Sequence, residues 1–387
     1  MTPAARVAAA IEVLDLIFDG STPEKSLTGW GRRHRFAGSK DRAAIRDHVF
    51  QALRCRSSYS WLGGAETGRG VMIGAMRAAG QVDEMFSGIA HAPRVIEDGE
   101  ESRPLEDAGR ASQNDMPAWL LPHFDDALGT NSDSAMKILK TRAGVFLRVN
   151  AARTNTMDMI DVLSRDGITA LLVDNIKDAL QVIENERRIS QTNAYLTGLI
   201  ELQDASSQYA MLALGLTAGQ RVLDFCAGGG GKSLAMTALG ANVTAYDIDP
   251  QRMIDLSPRA DRAGVVIKTI SKDDLQMLVP FDFVLVDAPC SGSGTWRRTP
   301  MAKWDLTPER LLELTQIQDD VLARAARLVG ANGILAYATC SIFNIENSDV
   351  VNRFVKLNNN FELISKDEWN PGPNGDGFFL VRLRRTY

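Results

Sequence analysis

The carboxyl-terminal half of the chain alternates between short apolar segments and segments with helical spacing of apolar residues. The apolar segments are rich in Val, Ile, Leu and Phe and are typical of buried strands. They lie at residues 221–225, 242–246, 265–270, 281–286, 334–338 and 378–383. Such alternation predicts an α/β fold, with a mostly parallel sheet covered by helices on both faces. Because ligands bind such sheets at the carboxyl ends of the strands, the residues that follow each strand are the candidate functional residues.

The remaining sequence predicts two further domains and a linker. A chain of 387 residues is longer than one core usually requires. Residues 1–95 have the apolar spacing of helices, whereas residues 96–115 are acidic and rich in Ser, Gly and Asn, as linkers are. Residues 116–200 mix helical and strand patterns and predict a small α+β domain. The α/β domain then occupies residues 201–387.

Composition is that of a globular protein and excludes some classes of partner. Hydrophobic residues make up 45% of the chain and charged residues 24%, which is usual for soluble domains. No apolar run approaches the roughly 20 residues that cross a bilayer, so we expect no membrane partner. The four cysteines are far apart and lack metal-ligand spacing, so neither a disulfide framework nor a metal site is expected. Unpaired cysteines favour a reducing, cytoplasmic setting.

A glycine-rich turn follows the first strand of the predicted α/β domain. The strand ends near Asp224, and residues 226–232 read Cys-Ala-Gly-Gly-Gly-Gly-Lys before a helical segment. Glycines there let a ligand approach the backbone and expose amides at the helix amino terminus. The turn lacks dinucleotide-binding spacing, and Cys226 occupies the place of the first P-loop glycine, which argues against phosphate binding. Asp247, at the tip of the next strand, is placed to bind ribose hydroxyls, although Asp247 or Asp249 could instead be a helix cap before Pro250.

Two cysteines follow neighbouring strands of the predicted sheet. Cys290 ends the sequence Asp-Ala-Pro-Cys after the fourth strand, and Cys340 lies in Ala-Thr-Cys-Ser after the fifth. A single cysteine is more often a small buried side chain than a nucleophile. Two cysteines at adjacent strand ends, each beside small and polar residues, favour a paired catalytic role.

A pair of thiols suits methylation of carbon 5 of a cytosine. A thiolate that adds to carbon 6 breaks the aromaticity and lets carbon 5 attack a methyl donor. A second group must then manage the carbon 5 proton and the release of the thiolate. A carboxylic acid near ring nitrogen 3 would stabilise the electron-rich adduct, and Asp287 is the candidate. Chemistry alone leaves open whether Cys290 or Cys340 is the nucleophile.

At these residues the sequence resembles the RsmB (Fmu/Sun) family of RNA cytosine-C5 methyltransferases. The matching motifs cover essentially the whole carboxyl-terminal half: 203–207, 226–232, Asp247, 287–292, 297–304, Gln318, 338–341 and 346–347. More weakly, residues 145–200 are similar to the small mixed domain that precedes the catalytic domain in this family. Residues 4–90 are similar to its helical, antitermination-factor-like RNA-binding domain.

The resemblance implies a Rossmann-like class I methyltransferase domain that uses S-adenosylmethionine. It implies that Cys340 is the nucleophile and that Cys290 aids product release, with Asp287 near the base. The cofactor-binding residues that it implies are Cys226, Ala227, Gly228, Gly229, Gly230, Gly231, Lys232, Asp247 and Asp287.

The sequence departs from the family pattern at two places in the cofactor site. Gly228 and Gly229 stand where the family usually has Ala-Pro, so the turn should be less preorganised. After the third strand the family usually has a Gly-Asp pair whose aspartate approaches the adenine. The register here assigns that position to Ser271, which we expect to contact the cofactor, with Asp273 as the alternative if the loop shifts.

Basic residues are clustered although the net charge is -5. Arg297, Arg298 and Lys303 follow the Cys290 loop and are candidates to contact phosphates beside a flipped base, with a solvated loop as the alternative. A second basic cluster, at residues 32–42, predicts docking on RNA or a ribosomal particle, or else a solvated charge run. We therefore expect an RNA partner, with 16S-type ribosomal RNA favoured and transfer RNA as the alternative.

Three other functions are weighed against this prediction. A DNA cytosine methyltransferase would need Cys290 as its nucleophile and a target-recognition insertion that the sequence lacks. A non-catalytic RNA-binding ribosome-assembly factor is favoured only by the altered cofactor turn. A nicotinamide oxidoreductase would leave both cysteine motifs unexplained.

Overall fold

A computed structural model of the protein describes residues 1–275 and 279–386. The chain divides into two compact units, one made of Met1–Arg142 with Trp296–Asp305 and the other made of Ala143–Thr295 with the residues from Leu306 onward. We number the helices α1–α18 and the strands β1–β11 along the chain. Within the described ranges, no helix combines the length and the apolar character that crossing a membrane would require.

The first unit is built from helices around one apolar core. Its helices are α1 (Pro3–Phe18), α2 (Pro23–Arg33), α3 (Ser39–Arg54), α4 (Arg56–Gly63), α5 (Gly68–Ala78), α6 (Val82–Met85), α7 (Arg110–Gln113), α8 (Leu121–Leu128), α9 (Ser132–Leu139) and α16 (Met301–Asp305). Thr2 caps α1, because its hydroxyl accepts a hydrogen bond from the Ala5 amide at 3.2 Å. The apolar positions of α1 recur with helical spacing, and Val13, Leu14 and Ile17 are buried in the core.

The acidic segment 96–115 packs as part of the helical unit. Asp115 at its end is fully buried, and its carboxylate accepts hydrogen bonds from the amide and the hydroxyl of Ser58, both at 2.7 Å. Lys140 pairs with the same carboxylate at 2.7 Å. The unit therefore continues to Arg142, beyond the boundary expected at residue 95. The acidic composition of the segment gave no sign of these buried partners.

The second unit begins with a small antiparallel sheet in the order β2-β3-β1-β4. Its elements are β1 (Val145–Val149), α10 (Thr156–Arg165), β2 (Thr169–Leu172), β3 (Ala179–Glu184), α11 (Asn193–Leu196) and β4 (Ile200–Leu202). Leu147, Leu163 and Leu180 lie in the core between the sheet and its helices. The sequence predicts a small α+β domain over residues 116–200; the strands of this sheet lie within residues 145–202, and residues 116–142 belong to the helical unit.

The rest of the unit is built on a seven-stranded sheet in the order β10-β11-β9-β8-β5-β6-β7. Its strands are β5 (Arg221–Asp224), β6 (Asn242–Ala245), β7 (Lys268–Thr269), β8 (Phe281–Asp287), β9 (Val329–Thr339), β10 (Phe361–Trp369) and β11 (Phe378–Arg385). Its helices are α12 (Ala205–Ala213), α13 (Gly231–Ala238), α14 (Leu256–Ala263), α15 (Lys272–Leu275), α17 (Pro308–Ala326) and α18 (Ser348–Leu357).

The sheet is parallel except at one edge. Strands β9, β8, β5, β6 and β7 are parallel neighbours, whereas β11 is antiparallel to both β9 and β10. Val284 and Val286 of β8 belong to a core cluster with α17 and α18, and Phe283 and Leu285 belong to another with α12, α13 and α14. The predicted α/β fold, with helices on both faces of the sheet, is confirmed. The chain order reverses between β5 and β8, where such sheets bind ligands.

Candidate active site

A cavity of about 620 Å³ opens beyond the carboxyl ends of β5, β6 and β8. Its lining mixes apolar, aromatic and charged side chains: Phe225, Cys226, Tyr246, Asp247, Ile248, Arg252, Pro289, Glu313, Gln316, Ile317, Asp320, Val321 and Arg324. Two of the predicted cofactor residues, Cys226 and Asp247, are among them. Ile248 and Arg252 were not predicted, although Ile248 directly follows Asp247 and could have been considered with it.

The glycine turn brings the backbone amides close to this cavity. Gly228 and Gly230 have φ angles of 48° and 79°, a conformation that side chains with a Cβ atom rarely adopt. The Gly228 amide donates a hydrogen bond to the Asp247 carboxylate at 3.0 Å. Helix α13 begins at Gly231, directly after this turn. The turn is thus held against the end of β6 by the carboxylate that was expected to bind the ribose.

Asp247 and Asp249 have different tasks. Asp249 accepts a hydrogen bond from the Gln251 amide at 3.0 Å and caps the turn that follows. Asp247 is 3% exposed and also accepts from the Asp249 amide at 3.0 Å, while Arg252 lies 3.4 Å from its carboxylate. The cap suggested by the sequence is therefore Asp249, which leaves Asp247 in the cavity wall.

Two buried polar atoms beside the cavity have no hydrogen-bond partner among the described residues: Asp224 Oδ1 and the Tyr246 hydroxyl. The other Asp224 oxygen accepts from the Ser233 hydroxyl at 2.6 Å. Burial raises the pKa of Asp224 to about 7. Buried polar atoms are normally satisfied, so these two are suited to a ligand with an ammonium group and hydroxyls, as S-adenosylmethionine has. In the sequence Asp224 marks only the end of a strand, and no neighbouring motif points to a ligand-binding role.

The two predicted catalytic cysteines are brought together. Their sulfur atoms lie 3.5 Å apart, with Cys290 after β8 and Cys340 after β9. The Lys232 ammonium, at the start of α13, pairs with Asp287 at 2.6 Å. Asp287 is the last residue of β8. Nucleophile, carboxylate and cation candidates from three segments therefore converge beyond one edge of the sheet.

The surroundings of the two thiols differ in charge. The hydrogen bond with Cys290 and the nearby Lys232 ammonium lower the pKa of the Cys340 thiol. The same hydrogen bond, together with burial, raises the pKa of Cys290. Burial also raises the pKa of Cys226, so that cysteine stays a thiol. Cys340 is thus the thiol that ionises most readily of the three.

The structure corrects the prediction that Arg297 and Lys303 contact RNA phosphates. They are 2% and 1% exposed, respectively, and belong to the helical unit. The Lys303 ammonium donates to the Arg54 carbonyl at 2.8 Å, and the Arg54 guanidinium donates to the Arg297 carbonyl at 2.7 Å. Because their side chains are buried, Arg297 and Lys303 are not accessible to phosphates, whereas Arg298 between them is exposed.

Ser271 lies outside the residues that line the cavity. It is exposed, and its hydroxyl donates to Asp274 at 2.7 Å at the start of α15. Its contact with the cofactor stays a prediction. Among the residues that the structure describes, no group of three or more His, Cys, Asp or Glu side chains could hold a metal ion.

Two family models match the sequence. One, described as 16S rRNA methyltransferase RsmB/F, matches residues 211–382, and the other, the ferredoxin-like domain of RsmF/B-like methyltransferases, matches residues 116–190. A crystal structure of PH0851 has the same fold, with a TM-score of 0.78 and 21% identity over 99% of both chains.

Curated relatives agree with these matches. The probable ribosomal RNA small subunit methyltransferase B of Bacillus subtilis (strain 168) is 32% identical over 67% of this chain and 60% of its own length. Ribosomal RNA small subunit methyltransferase B of Escherichia coli O6:K15:H31 (strain 536 / UPEC) is 30% identical over 69% of this chain and 66% of its own length. The chain thus matches slightly less than two thirds of either relative. The matching methyltransferase family, together with the glycine turn and its cavity, supports the expected cofactor, S-adenosylmethionine. The chain belongs to the RsmB/F methyltransferase family.

Proposed function

We propose that this protein methylates carbon 5 of a cytosine in RNA through a covalent adduct with Cys340. The observation that carries the proposal is the 3.5 Å approach of the Cys290 and Cys340 sulfur atoms. Pro289, next to Cys290, lines the cofactor cavity. A single nucleophilic thiol would suffice for many reactions, but a second thiol at this distance suits a reaction that must also undo its own adduct.

In the proposed reaction the Cys340 thiolate adds to carbon 6 of the cytosine. When bound, S-adenosylmethionine supplies an electrophilic methyl group: carbon 5 forms its new bond to that methyl as the methyl–sulfur bond breaks, and the neutral thioether product, S-adenosylhomocysteine, is released. The carbon 5 proton then leaves to a base, the bond between Cys340 and carbon 6 breaks, and the thiolate is restored. Cys290 aids this release from its position beside the nucleophile. The lowered pKa of Cys340 favours it for the first step, because the thiolate is the reactive form.

Asp287 and Lys232 act on the base as a pair in this proposal. Their 2.6 Å ion pair places a carboxylate and an ammonium group side by side. Addition to carbon 6 increases the electron density at ring nitrogen 3, which then binds a proton more tightly. A proton shared between Lys232 and Asp287 would satisfy that nitrogen without bulk solvent.

Ribosomal RNA of the small subunit is the proposed substrate, and the names of the curated relatives favour it. The helical unit exposes Arg32, Arg33 and Arg35 next to Phe36, whose side chain is 73% exposed. Cations interleaved with an exposed aromatic ring suit phosphates and an unstacked base. Arg298, which follows the Cys290 loop, is the proposed contact to an RNA phosphate beside the target cytosine. We also propose a reducing, cytoplasmic setting, in which the thiol pair stays free.

The proposal is tested with small-subunit ribosomal RNA that carries tritium at carbon 5 of its cytosines. Incubation with S-adenosylmethionine should release tritium into water and form 5-methylcytidine in equal amounts, and Cys340→Ala should do neither. Transfer RNA labelled in the same way serves as the second substrate. Methyl transfer without tritium release would place the methyl group elsewhere and overturn the proposal. Release from transfer RNA alone would change the substrate class.

A further inference from the structure

Glu346 is a fully buried carboxylate that none of the proposed steps uses. It lies in a short helical turn, Asn344–Glu346, after β9. Its Oε1 accepts hydrogen bonds from the Ser291 amide at 2.8 Å and the Gln318 side-chain amide at 3.1 Å. Its Oε2 accepts from the hydroxyls of Ser291 and Ser341, both at 2.5 Å. All four donors are neutral, so the carboxylate depends on their number and placement.

The donors come from the residues that follow the two catalytic cysteines. Ser291 is the next residue after Cys290, and Ser341 is the next residue after Cys340. One carboxylate oxygen thus receives a hydrogen bond from each cysteine loop. The loops also contact each other directly, because the Gly294 amide donates to the Cys340 carbonyl at 2.9 Å and the Ser293 and Ser341 hydroxyls lie 2.9 Å apart. Glu346 adds a buried charge that both loops must satisfy.

The carboxylate itself is held from the far side. Gln318 of α17 donates both to Glu346 and to the Pro289 carbonyl, the latter at 2.9 Å. The Tyr337 hydroxyl of β9 donates to the Glu346 carbonyl at 2.6 Å. Glu346 is therefore fixed by a helix and a central strand, which are more rigid supports than loops.

If the two loops separated, the buried Glu346 carboxylate would lose some of its hydrogen-bond donors. An unsatisfied buried polar group costs about 1–3 kcal/mol, and more when it is charged. Movement of either loop away from Glu346 would incur that cost. The separation of the thiols is thereby coupled to the hydrogen bonding of a residue that touches neither sulfur.

We propose that Glu346 is a positioning residue that clamps the Cys290 loop to the Cys340 loop and sets the distance between the two thiols. Its importance for methyl transfer rests on the proposed function, but the clamp itself does not.

Two substitutions of Glu346 test whether its hydrogen bonds set the distance between the thiols. Glu346→Gln keeps the shape, and its carbonyl can still accept from the two N–H donors while its amide donates to hydroxyls that rotate. Glu346→Ala removes every contact. Glu201→Ala is the matched control, because Glu201 is a carboxylate of the same unit, 8% exposed, whose partners Arg259 and Arg262 lie outside the thiol site.

The readout is the rate at which diamide oxidises the thiol pair of the full chain, followed by mass spectrometry of the Cys290–Cys340 disulfide. Diamide takes up the two electrons and two protons that the thiols lose. Glu346→Ala should slow the reaction about 10-fold or more, because misplacement by about 1 Å has effects of that size or larger. Glu346→Gln should restore most of the rate, and Glu201→Ala should leave it unchanged. Oxidation of Glu346→Ala at the wild-type rate would overturn the clamp.

Ser291→Ala keeps the test decisive if Glu346→Ala fails to fold. It removes one hydroxyl donor, retains the backbone donor, and should slow oxidation to an intermediate rate; an unchanged rate would count against the clamp.

Methyl transfer by the same variants separates the two proposals. A wild-type protein that oxidises as expected but transfers no methyl group would sink the proposed function and leave the clamp standing.

Discussion

Cys290 and Cys340 differ in the charges around them although their sulfur atoms are 3.5 Å apart. The Lys232 ammonium favours ionisation of Cys340, whereas the Glu346 carboxylate disfavours ionisation of Cys290. The contact between the thiols acts in the same two directions, because it lowers the pKa of Cys340 and raises the pKa of Cys290. At the residue scale this asymmetry supports the proposal that Cys340 is the nucleophile, a choice that the sequence chemistry had left open between the two.

Replacement of Lys232 should raise the pKa of Cys340. Lys232→Met keeps contact with the Phe378 ring, whose centre lies 5.2 Å from the ammonium, but removes the charge and leaves Asp287 unpaired. Both changes disfavour the thiolate, so the pH profile of Cys340 alkylation by iodoacetamide should move upward by about 1 pH unit. Mass spectrometry of the Cys340 peptide measures it. Lys268→Met, at an exposed lysine, should leave the pH profile of Cys340 alkylation unchanged. A wild-type profile in Lys232→Met would show that Lys232 does not lower the pKa of Cys340.

Gly230→Ala should weaken cofactor binding. The φ angle of 79° disfavours any Cβ atom, and the new methyl group would lie 2.7 Å from Leu256 Cγ. We expect a loss of about 1–2 kcal/mol in unfolding free energy, and a dissociation constant for S-adenosylmethionine raised roughly 10-fold as the turn shifts. Calorimetric titration measures the binding.

Gly219→Ala is the matched control for this backbone effect. Gly219 has a φ of 80° but no atom within 4 Å of an added Cβ. It should lose stability to a similar extent and bind the cofactor normally. Equal loss of binding in both variants would mean that the turn geometry does not matter to the cofactor.

Functional residues could be predicted from the sequence where the adjacent residues form a recognisable strand or motif. Cys290, Cys340 and Asp247 each follow a strand, and position in an α/β sheet gives such residues their meaning. The sequence did not predict the role of Glu346, whose partners Ser291 and Gln318 are distant in the chain. It also misread Lys303, because a lysine in a basic loop looks the same in sequence whether it is solvated or buried.

At the scale of elements, the segment after the Cys290 loop packs in the helical unit. Lys303, in α16, is 1% exposed, and its ammonium lies 4.8 Å from the centre of the Trp304 ring. Trp304 in turn donates to the Leu53 carbonyl at 2.8 Å. A segment of the catalytic sequence thus supplies part of the core of the first unit.

Burial lowers the pKa of Lys303 to about 8, which makes the stability of the protein depend on pH. Between pH 8 and the usual lysine pKa of 10.5 the unfolded chain binds the extra proton, so unfolding free energy should rise with pH. Below pH 8 both states are protonated and this dependence vanishes. The free energy of unfolding, measured with denaturant, should rise with pH across that window for wild type but not for Lys303→Met. Below pH 8 the difference between the two proteins should stay constant. Lys40→Met, at an exposed lysine, should follow wild type, and a constant difference for Lys303→Met across the window would contradict the buried ammonium.

The sequence did not correctly predict the strands whose formation depends on tertiary contacts. Strand β10, at the edge of the large sheet, is mostly exposed and carries Glu362, Lys366 and Glu368, so its pattern did not resemble a buried strand. Strand β7 pairs over only two residues, although the apolar run there extends from 265 to 270. The central strands β5, β6 and β8 were predicted nearly to their ends, since buried parallel strands read as continuous apolar runs.

At the scale of the whole molecule, a net charge of -5 is combined with local basic surfaces. If the proposed surface of the helical unit binds RNA, the combined Arg32→Ala, Arg33→Ala and Arg35→Ala variant should bind ribosomal RNA more weakly. The slope of log affinity against log salt should fall by about two to three, because each lost phosphate contact removes close to one. Filter binding over a salt series measures both quantities.

A control with the same loss of charge distinguishes local contacts from net charge. Arg310, Lys356 and Lys366 are exposed in the catalytic unit, and their joint replacement by alanine should change the slope little. If both triple variants weaken binding equally, the basic cluster of the helical unit has no special role.

The central claim is a covalent intermediate on Cys340, and the adduct itself is the most direct observation of it. Wild type, Cys340→Ala and Cys290→Ala are incubated with S-adenosylmethionine and unmodified small-subunit ribosomal RNA, then separated on denaturing gels. We predict a protein–RNA adduct that accumulates in Cys290→Ala and is absent in Cys340→Ala. An adduct that accumulates in Cys340→Ala would reverse the two roles, and no adduct in any variant, with no methyl transfer, would contradict the proposed reaction.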